Sequence, residues 1–411
     1  MSDIPEGWSV AELGEVTESA VDGPFGSNLK TEHYVDEPGV RVVRLQNLGV
    51  GEFIDDNRVF ISDAYAAGLG RHEVLPGDLL VASLGDQAHP VARACQYPAS
   101  GGPAIVKADC FRIRLSTDLA DPRFIRHTLN CSSSRERLNG LSQGVTRDRV
   151  NLASLRHLPI VLPSIIEQRR IAEVLDVADE AIRLAERLSA KLEQAREGLL
   201  LDFFEHLPAS WNVMSVGDVG DVLLGRQRSP QQQRGRFLMP YLRVANVFDG
   251  HIDYTDVLTM NFTPREQEIY GLREGDLLLN EGQSLELVGR CAVYRGQPSF
   301  HCFQNTLVRY RCSAEMIPEF AYLTFKYWLI TGRFMQVAKK TTSMAHLGAS
   351  RFAAMPITLP PLNDQRSIVA IFAAIGDRIG LENAELAKYR HVKQGLTDDL
   401  LMGRLRVGAA A

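Results

Sequence analysis

The chain has 411 residues, 45% hydrophobic and 23% charged, with a net charge of −5 at pH 7; at about 100–200 residues per domain, two to four domains are expected. This balance excludes a mostly disordered, a collagenous or a membrane-spanning chain, since no uncharged stretch reaches the roughly 18–20 apolar residues a membrane helix needs. The first residues, MSDIPEGW, lack a basic region followed by an apolar core, so no secretory signal is expected and the expected location is the cytoplasm.

PEGWSVAELG (5–14) is followed by Gly23-Pro-Phe-Gly26-Ser27-Asn28-Leu-Lys30, a glycine-rich loop ending in a lysine. Glycines let backbone amides approach an anion, and Lys30 adds charge. Arg44-x-x-Asn47, Gly77-Asp-Leu-Leu and VARACQY (91–97) come next. Residues 1–104 hold 6 Lys/Arg against 16 Asp/Glu, and residues 105–160 hold 10 against 5, so the local balance moves from −10 to +5. RFIRHTLN (123–130) reads as a helix. In Gln143-Gly-Val-Thr146-Arg147-Asp-Arg149 a hydroxyl sits among cations, which suits phosphate contacts that position a protein without specifying sequence. Pro163 precedes Ser164-Ile-Ile-Glu167, a capping box in which Ser and Glu satisfy orphan amides at the start of a long helix over 164–206. Ile171, Leu175, Ala178, Ile182, Ala185, Leu192 and Leu199 form one apolar stripe, the seam of a coiled coil.

The remainder repeats this order. PASWNVMSVG (208–217) resembles 5–14, Arg243-x-x-Asn246 matches Arg44-x-x-Asn47, and Gly275-Asp-Leu-Leu matches Gly77-Asp-Leu-Leu. From VGRCAVY (288–294) the offset holds at 197, so that AMPITLPPLNDQRSIVAIF (354–372) lies on HLPIVLPSIIEQRRIAEVL (157–175). YLRVANV and GDLLLNEG read as strands and EFAYLTFKYWLI as a helix. Ile368, Phe372, Ile375, Ile379, Leu386, Tyr389, Leu396 and Leu400 give the second stripe. Period and pattern together predict an α+β protein built as an internal pseudo-two-fold duplication. Its expected parts are a first globular domain over 1–163, a helix over 164–206, a second globular domain over 207–360, and a helix with the C-terminal tail over 361–411. The two helices, each roughly 60 Å long, are expected to pair as an antiparallel coiled coil, with the globular parts at opposite ends like a dumbbell.

Chemistry-bearing motifs are absent: there is no G-x-G-x-x-G, Walker A loop or nucleophile elbow, and no clustered carboxylates. Cysteines 95, 110, 131, 291, 302 and 312 form no CxxC pair and do not follow the repeat, so no metal site is expected. His33, His89, His251 and His346 have no evident catalytic partner in the sequence. The second copy instead places Gly225-Arg226-Gln227-Arg228-Ser229 where the first has its glycine loop, and residues 223–243 hold five arginines and no acid. Arg and Gln are the side chains that read guanine and adenine edges. Lys340-Thr341-Thr342-Ser343, preceded by Lys339, is the second copy's equivalent of Gln143-Gly-Val-Thr146-Arg147-Asp-Arg149.

These residues make the chain resemble the specificity subunit of Type I restriction–modification systems: DGPFGSNLK (22–30), GRQRSP with PYLRVANV, the paired "LP–x–x–LP…EQRRIA" and "MP–x–x–LP…DQRSIV" segments, and LLMGRLRV near the end. The resemblance covers essentially the whole chain. It implies that each globular part is a target recognition domain reading one half of a bipartite site on double-stranded DNA, with the helices as spacer and as dock for two methyltransferase subunits. It implies no catalysis and no cofactor in this chain; S-adenosylmethionine, ATP and magnesium would be used by the partner methyltransferase and restriction subunits. The second helix has Pro361 where the first has Ser164, which weakens only that cap. The candidate DNA contacts are Gly26, Ser27, Asn28, Lys30, Arg44, Asn47, Thr146, Arg147 and Arg149 in the first copy. In the second they are Arg226, Gln227, Arg228, Ser229, Arg234, Arg236, Arg243, Asn246, Lys339, Lys340, Thr341 and Thr342. A reading of a different class, a duplicated coiled-coil scaffold that binds proteins and not DNA, is distinguished by whether the basic loops share a face.

Overall fold

The computed structural model describes residues 4–24, 28–36, 39–86, 88–141, 148–229, 233–340 and 344–407. The chain forms two compact units, Met1–Glu186 with Ala384–Ala411, and Arg187–Asn383. Both boundaries fall inside the long helices. Each unit therefore comprises one globular head and half of each helix, and not a head alone.

In the first unit an antiparallel sheet has the order Thr17–Asp22, Cys110–Leu115, Leu79–Ala82, Ala94–Gln96. Leu79–Ala82 is buried at every position, as its unbroken apolar run requires of a central strand. A second, five-stranded sheet contains the parallel pair Val40–Val43 and Ala104–Val106. Helix Pro122–Asn130 begins with Pro at its first position, and the Asp121 carboxylate accepts hydrogen bonds from the Arg123 and Phe124 amides, the preferred chemistry for a helix start. Its Phe124, Ile125 and Leu129 pack on Leu79, Val81, Phe111 and Ile113 of the first sheet and on Ile171, Ala172 and Leu175 of the long helix.

The second unit repeats the first sheet in the same order: Gly220–Leu224, Leu307–Cys312, Leu277–Asn280, Cys291–Val293. Helix Pro318–Ile330 takes the place of Pro122–Asn130, with a more aromatic core of Tyr310, Phe320, Phe325, Trp328, Phe334 and Phe352. Two paired features fix both heads. Arg114 grips Asp78 through two 2.8 Å bonds, and Arg311 grips Asp276 through two of 2.7 Å. Gln168 and Gln365, both buried, tie the start of each long helix to its head.

The long helices span Ile165–Glu205 and Leu362–Leu401. Within the first unit they run antiparallel: Lys393 pairs with Asp179, and Arg390 with Glu186 at 2.5 Å. Within the second unit, Ser189 Oγ donates to Asn383 Oδ1 at 2.7 Å. The predicted stripe departs in one place. Leu199 is exposed, and Leu200 and Phe204 are buried against the second head instead, because 3.6 residues per turn drifts from a strict heptad. The capping box is half formed: Ser164 Oγ accepts from the Glu167 amide at 3.3 Å, but the Glu167 carboxylate accepts from Trp8 Nε1 and Arg406. YLRVANV is not one strand; the strand Leu238–Leu242 ends and Val244–Asn246 is a 3-10 turn.

Candidate nucleic-acid interface

Segments far apart in sequence meet at one end of the central sheet in each head. In the first, the chain leaves strand Thr17–Asp22 at Gly23, whose amide donates to Cys110 O. Ser83 donates to Asp109 O, Val150 to Ser83 O and Gly85 to Asp148 O, and Arg149 pairs with Asp109 at 2.5 Å. The chain at Gly23 and the 83–85, 107–110 and 148–150 segments thus share one rim. In the second head Gly225 donates to Leu307 O, Asn305 to Arg226 O, Glu281 to Thr306 O and Leu347 to Glu281 O. A small sheet of Gly282–Gln283, Ala345–His346 and Lys339–Lys340 completes that rim. The 225–229 and 339–340 segments are therefore brought together, as a shared binding face needs.

The glycines that open both loops serve packing. A Cβ on Gly23 would sit 2.0 Å from the Lys107 carbonyl, and one on Gly225 2.2 Å from Gln304 O. No side chain fits there, so Gly recurs in both copies without needing an anion. Arg44-x-x-Asn47 and Arg243-x-x-Asn246 are structural as well. Asn47, 1% exposed, accepts from the Arg44 amide and donates to Ile54 O and Asp56 O. Asn246, 2% exposed, accepts from the Arg243 amide and donates to Asp253 O and Asp256 O. Arg44 donates to Asn57 O, and Arg243 pairs with Asp256 at 2.5 Å. Both asparagines are expected at the DNA, and the structure places their amides buried and spent on a turn. Arg226 is held within the head as well. Its guanidinium pairs with Glu266 at 2.7 Å, donates to Asn261 O and covers the Phe262 ring at 5.0 Å.

Gln227, Arg228, Arg234, Arg236, Lys339 and Lys340 are exposed, and Ser229 is half-buried. Asn28 and Lys30 are exposed too; Lys30 faces Glu32 at 3.5 Å, and the Asn28 carbonyl accepts from Tyr65. Gly26, Ser27, Thr146, Arg147, Thr341 and Thr342 lie outside the described residues. Among the described residues the two rims differ in charge. The second is rich in cations, whereas in the first Arg149 pairs with Asp109 and lies near Asp22. Burial pushes the Asp22 carboxyl up to about 6; the Gly23 amide opposes this, Asp109 adds to it and Arg149 opposes it.

Sequence reasoning missed the 83–85 and 281–283 segments: the first pairs with 148–150 around Arg149, and the second with 345–347, which in turn pair with Lys339–Lys340. Their only sequence signal is position, directly after the repeated Gly-Asp-Leu-Leu strands. His127, Asp176 and Asp179 bring their ligand atoms within 4.8 Å of one another. Arg126 and Lys393 already hold the two carboxylates, so a divalent ion would have to displace both cations. Burial pushes the Cys95 and Cys302 thiols up to about 12, which keeps these two protonated near neutral pH. No helix among the described residues is long and apolar enough to cross a membrane.

A family described as the Type I restriction modification DNA specificity domain matches residues 5–194 and again 208–389. The chain is similar to the Type I restriction enzyme EcoKI specificity subunit of Escherichia coli K12, at 23% identity over 98% of this chain and 90% of that one. It is also similar to the putative type I restriction enzyme MjaX specificity subunit of Methanocaldococcus jannaschii, at 20% identity over 99% and 96%. A chain solved in work on complex assembly and conformational transition of the type I R-M system shares its fold. The TM-score is 0.64 at 20% identity, covering 98% of this chain and 100% of the other.

Proposed function

Because this chain belongs to the Type I restriction modification DNA specificity family, with one copy of the domain in each half, we propose that it is the DNA-recognition subunit of a Type I restriction–modification complex. Each head reads one half of a bipartite site. The paired helices set the distance between the half-sites and dock two methyltransferase subunits, to which restriction subunits add. The chain carries no catalysis of its own; S-adenosylmethionine, ATP and magnesium are used by those partners.

The observation that carries this reading is the convergence, in each head, of loop segments from three or more places in the chain on one end of the sheet. In the second head that rim exposes Gln227, Arg228, Lys339 and Lys340, a mixture of base-reading and phosphate-binding chemistry. Half-sites read from one face lie about 34–36 Å apart, within the roughly 60 Å of a 40-residue helix. Methylation mapping of host DNA with and without this chain and a methyltransferase partner tests the proposal. A bipartite methylated motif that depends on this chain is expected; unchanged methylation overturns it.

A further inference from the structure

At one point on each rim the two heads present different side chains from the same backbone frame. Just past the central strand Leu79–Ala82, Leu84 pairs with Arg149; just past Leu277–Asn280, Gly282 pairs with His346. Arg149 and His346 also match in the repeat, at its offset of 197. Both side chains are open to solvent, 44% and 41% exposed, and each has a carboxylate beside it. Asp109 lies 2.5 Å from the Arg149 guanidinium, and Glu281 Oε2 lies 3.0 Å from His346 Nδ1.

In the second head the backbone fixes this pair closely. The strand of His346 lies between Gly282–Gln283 and Lys339–Lys340, and the His346 carbonyl accepts from Arg351 Nη2 at 2.7 Å. The Glu281 amide donates to Thr306 O, and the Glu281 carbonyl accepts from Leu347. Gly282 gives the ring room: a Cβ there would stand 3.5 Å from His346 Cε1. Nδ1 is spent on Glu281, and Nε2 makes no hydrogen bond among the described residues. A pair this exposed adds little stability. A carboxylate on the rim that carries Lys339 and Lys340 also opposes the approach of phosphates. Glu281 therefore works against DNA binding unless it acts through His346, by holding Nδ1 so that Nε2 is the edge left for a ligand.

We propose that Arg149 and His346 are matched DNA contact points of the two heads, and that His346 donates from Nε2 to an acceptor on the second half-site, with Glu281 as its positioning residue. This rests on the reading of the chain as a DNA-recognition subunit. The charged imidazole donates from both nitrogens, to Glu281 through one and to DNA through the other. Arg149 offers donors at the same place in a planar fork. The heads thus meet DNA through the same backbone frame with donors of different shape, which is how one repeated unit comes to read two half-sites.

The test uses the full chain with its methyltransferase subunits, on duplexes carrying the bipartite site that methylation mapping defines, with affinity read by fluorescence anisotropy. His346→Ala should weaken binding about tenfold through the second half-site, with the melting temperature and the base preferences at the first half-site unchanged. Glu281→Ala separates the two roles by sign. Removing a negative charge alone tightens binding to a polyanion, whereas losing the positioning of His346 weakens it; weakening is expected in the wild-type background and none in the His346→Ala background. His346→Arg should bind more tightly than His346→Ala. A base preference changed at one position of the second half-site then identifies a base edge as the acceptor, and an unchanged preference identifies a phosphate. Unchanged binding by His346→Ala, equal losses at both half-sites, tighter binding by Glu281→Ala, or a His346→Arg chain no better than His346→Ala overturns the assignment while the bipartite motif stands. A wild-type chain that gives no bipartite motif overturns the reading beneath it as well.

Discussion

The Gln168 side chain accepts a hydrogen bond from the Asp121 amide at 2.9 Å, joining the first turn of a long helix to the first turn of the helix that packs on the head's sheet. Its amide nitrogen donates to Leu119 O and Pro163 O, both at 3.0 Å. Gln365 repeats all three bonds with Ile317, Glu315 and Pro360 at 2.8 Å. Each glutamine is the screw between head and spacer.

Gln168→Ala leaves one amide and two carbonyls without partners in a buried place. At about 1–3 kcal/mol for a group left unsatisfied, a loss of roughly 2–4 kcal/mol is expected in urea unfolding. A change below about 0.5 kcal/mol, the range of ordinary surface substitutions, would show that water replaces the side chain at no cost.

Arg226 and Arg228 are two residues apart and should behave oppositely. Arg226→Ala removes the Glu266 pair and the Phe262 contact, so it should lower the melting temperature of the second head. Arg228→Ala should leave stability unchanged, weaken one half-site only, and lower the salt slope of binding by about 1. Lys30→Ala should affect the other half-site. Equal losses at both half-sites would contradict independent heads.

Asp22 gives the first head a pH dependence. Its carboxyl titrates near 6 when folded against 3.8 when unfolded. Between those values the folded chain holds a proton that the unfolded chain has lost, so stability falls as pH rises through this window and stays lower above it. Ionisation also adds a negative charge beside Asp109. DNA binding by the first head should therefore weaken from about pH 5 to about pH 7, and Asp22→Asn should flatten the profile. A profile identical in wild type and Asp22→Asn would assign the titration elsewhere.

Removing four residues, about one turn, from both long helices should change the spacing tolerated between half-sites, read by methylation of a library of spacer lengths. An unchanged spacer would mean that the helices do not set it.

The repeat, the long helices and the central strands were legible because periodicity and internal self-similarity report burial. The binding residues were less so, and the reason is specific. Gly23 and Gly225, Arg44 and Arg243, Asn47 and Asn246 stood out because both copies share them. Two heads that read different half-sites share what builds the head and differ in what touches DNA. The matched residues accordingly proved to be turn and packing elements, while the exposed Gln227, Arg228 and Lys339 have no identical counterparts. The 83–85 and 281–283 segments carry no periodicity, and only backbone pairing reveals their place. Leu199 failed because a heptad count cannot register the drift of a real helix.

Leu400 and Leu401 lie in the same core as Trp8, Leu13 and Phe124, and Arg406 covers the Trp8 ring while holding Glu167. On the ribosome this inverts the usual order of domain maturation, in which the N-terminal part folds first. The continuous stretch Arg187–Asn383 can complete its core as soon as it emerges, whereas the first head must wait for residues 384–407, which are made after the whole second unit. Loss of that late segment would thus damage the head encoded before it, and leave the second unit's core intact.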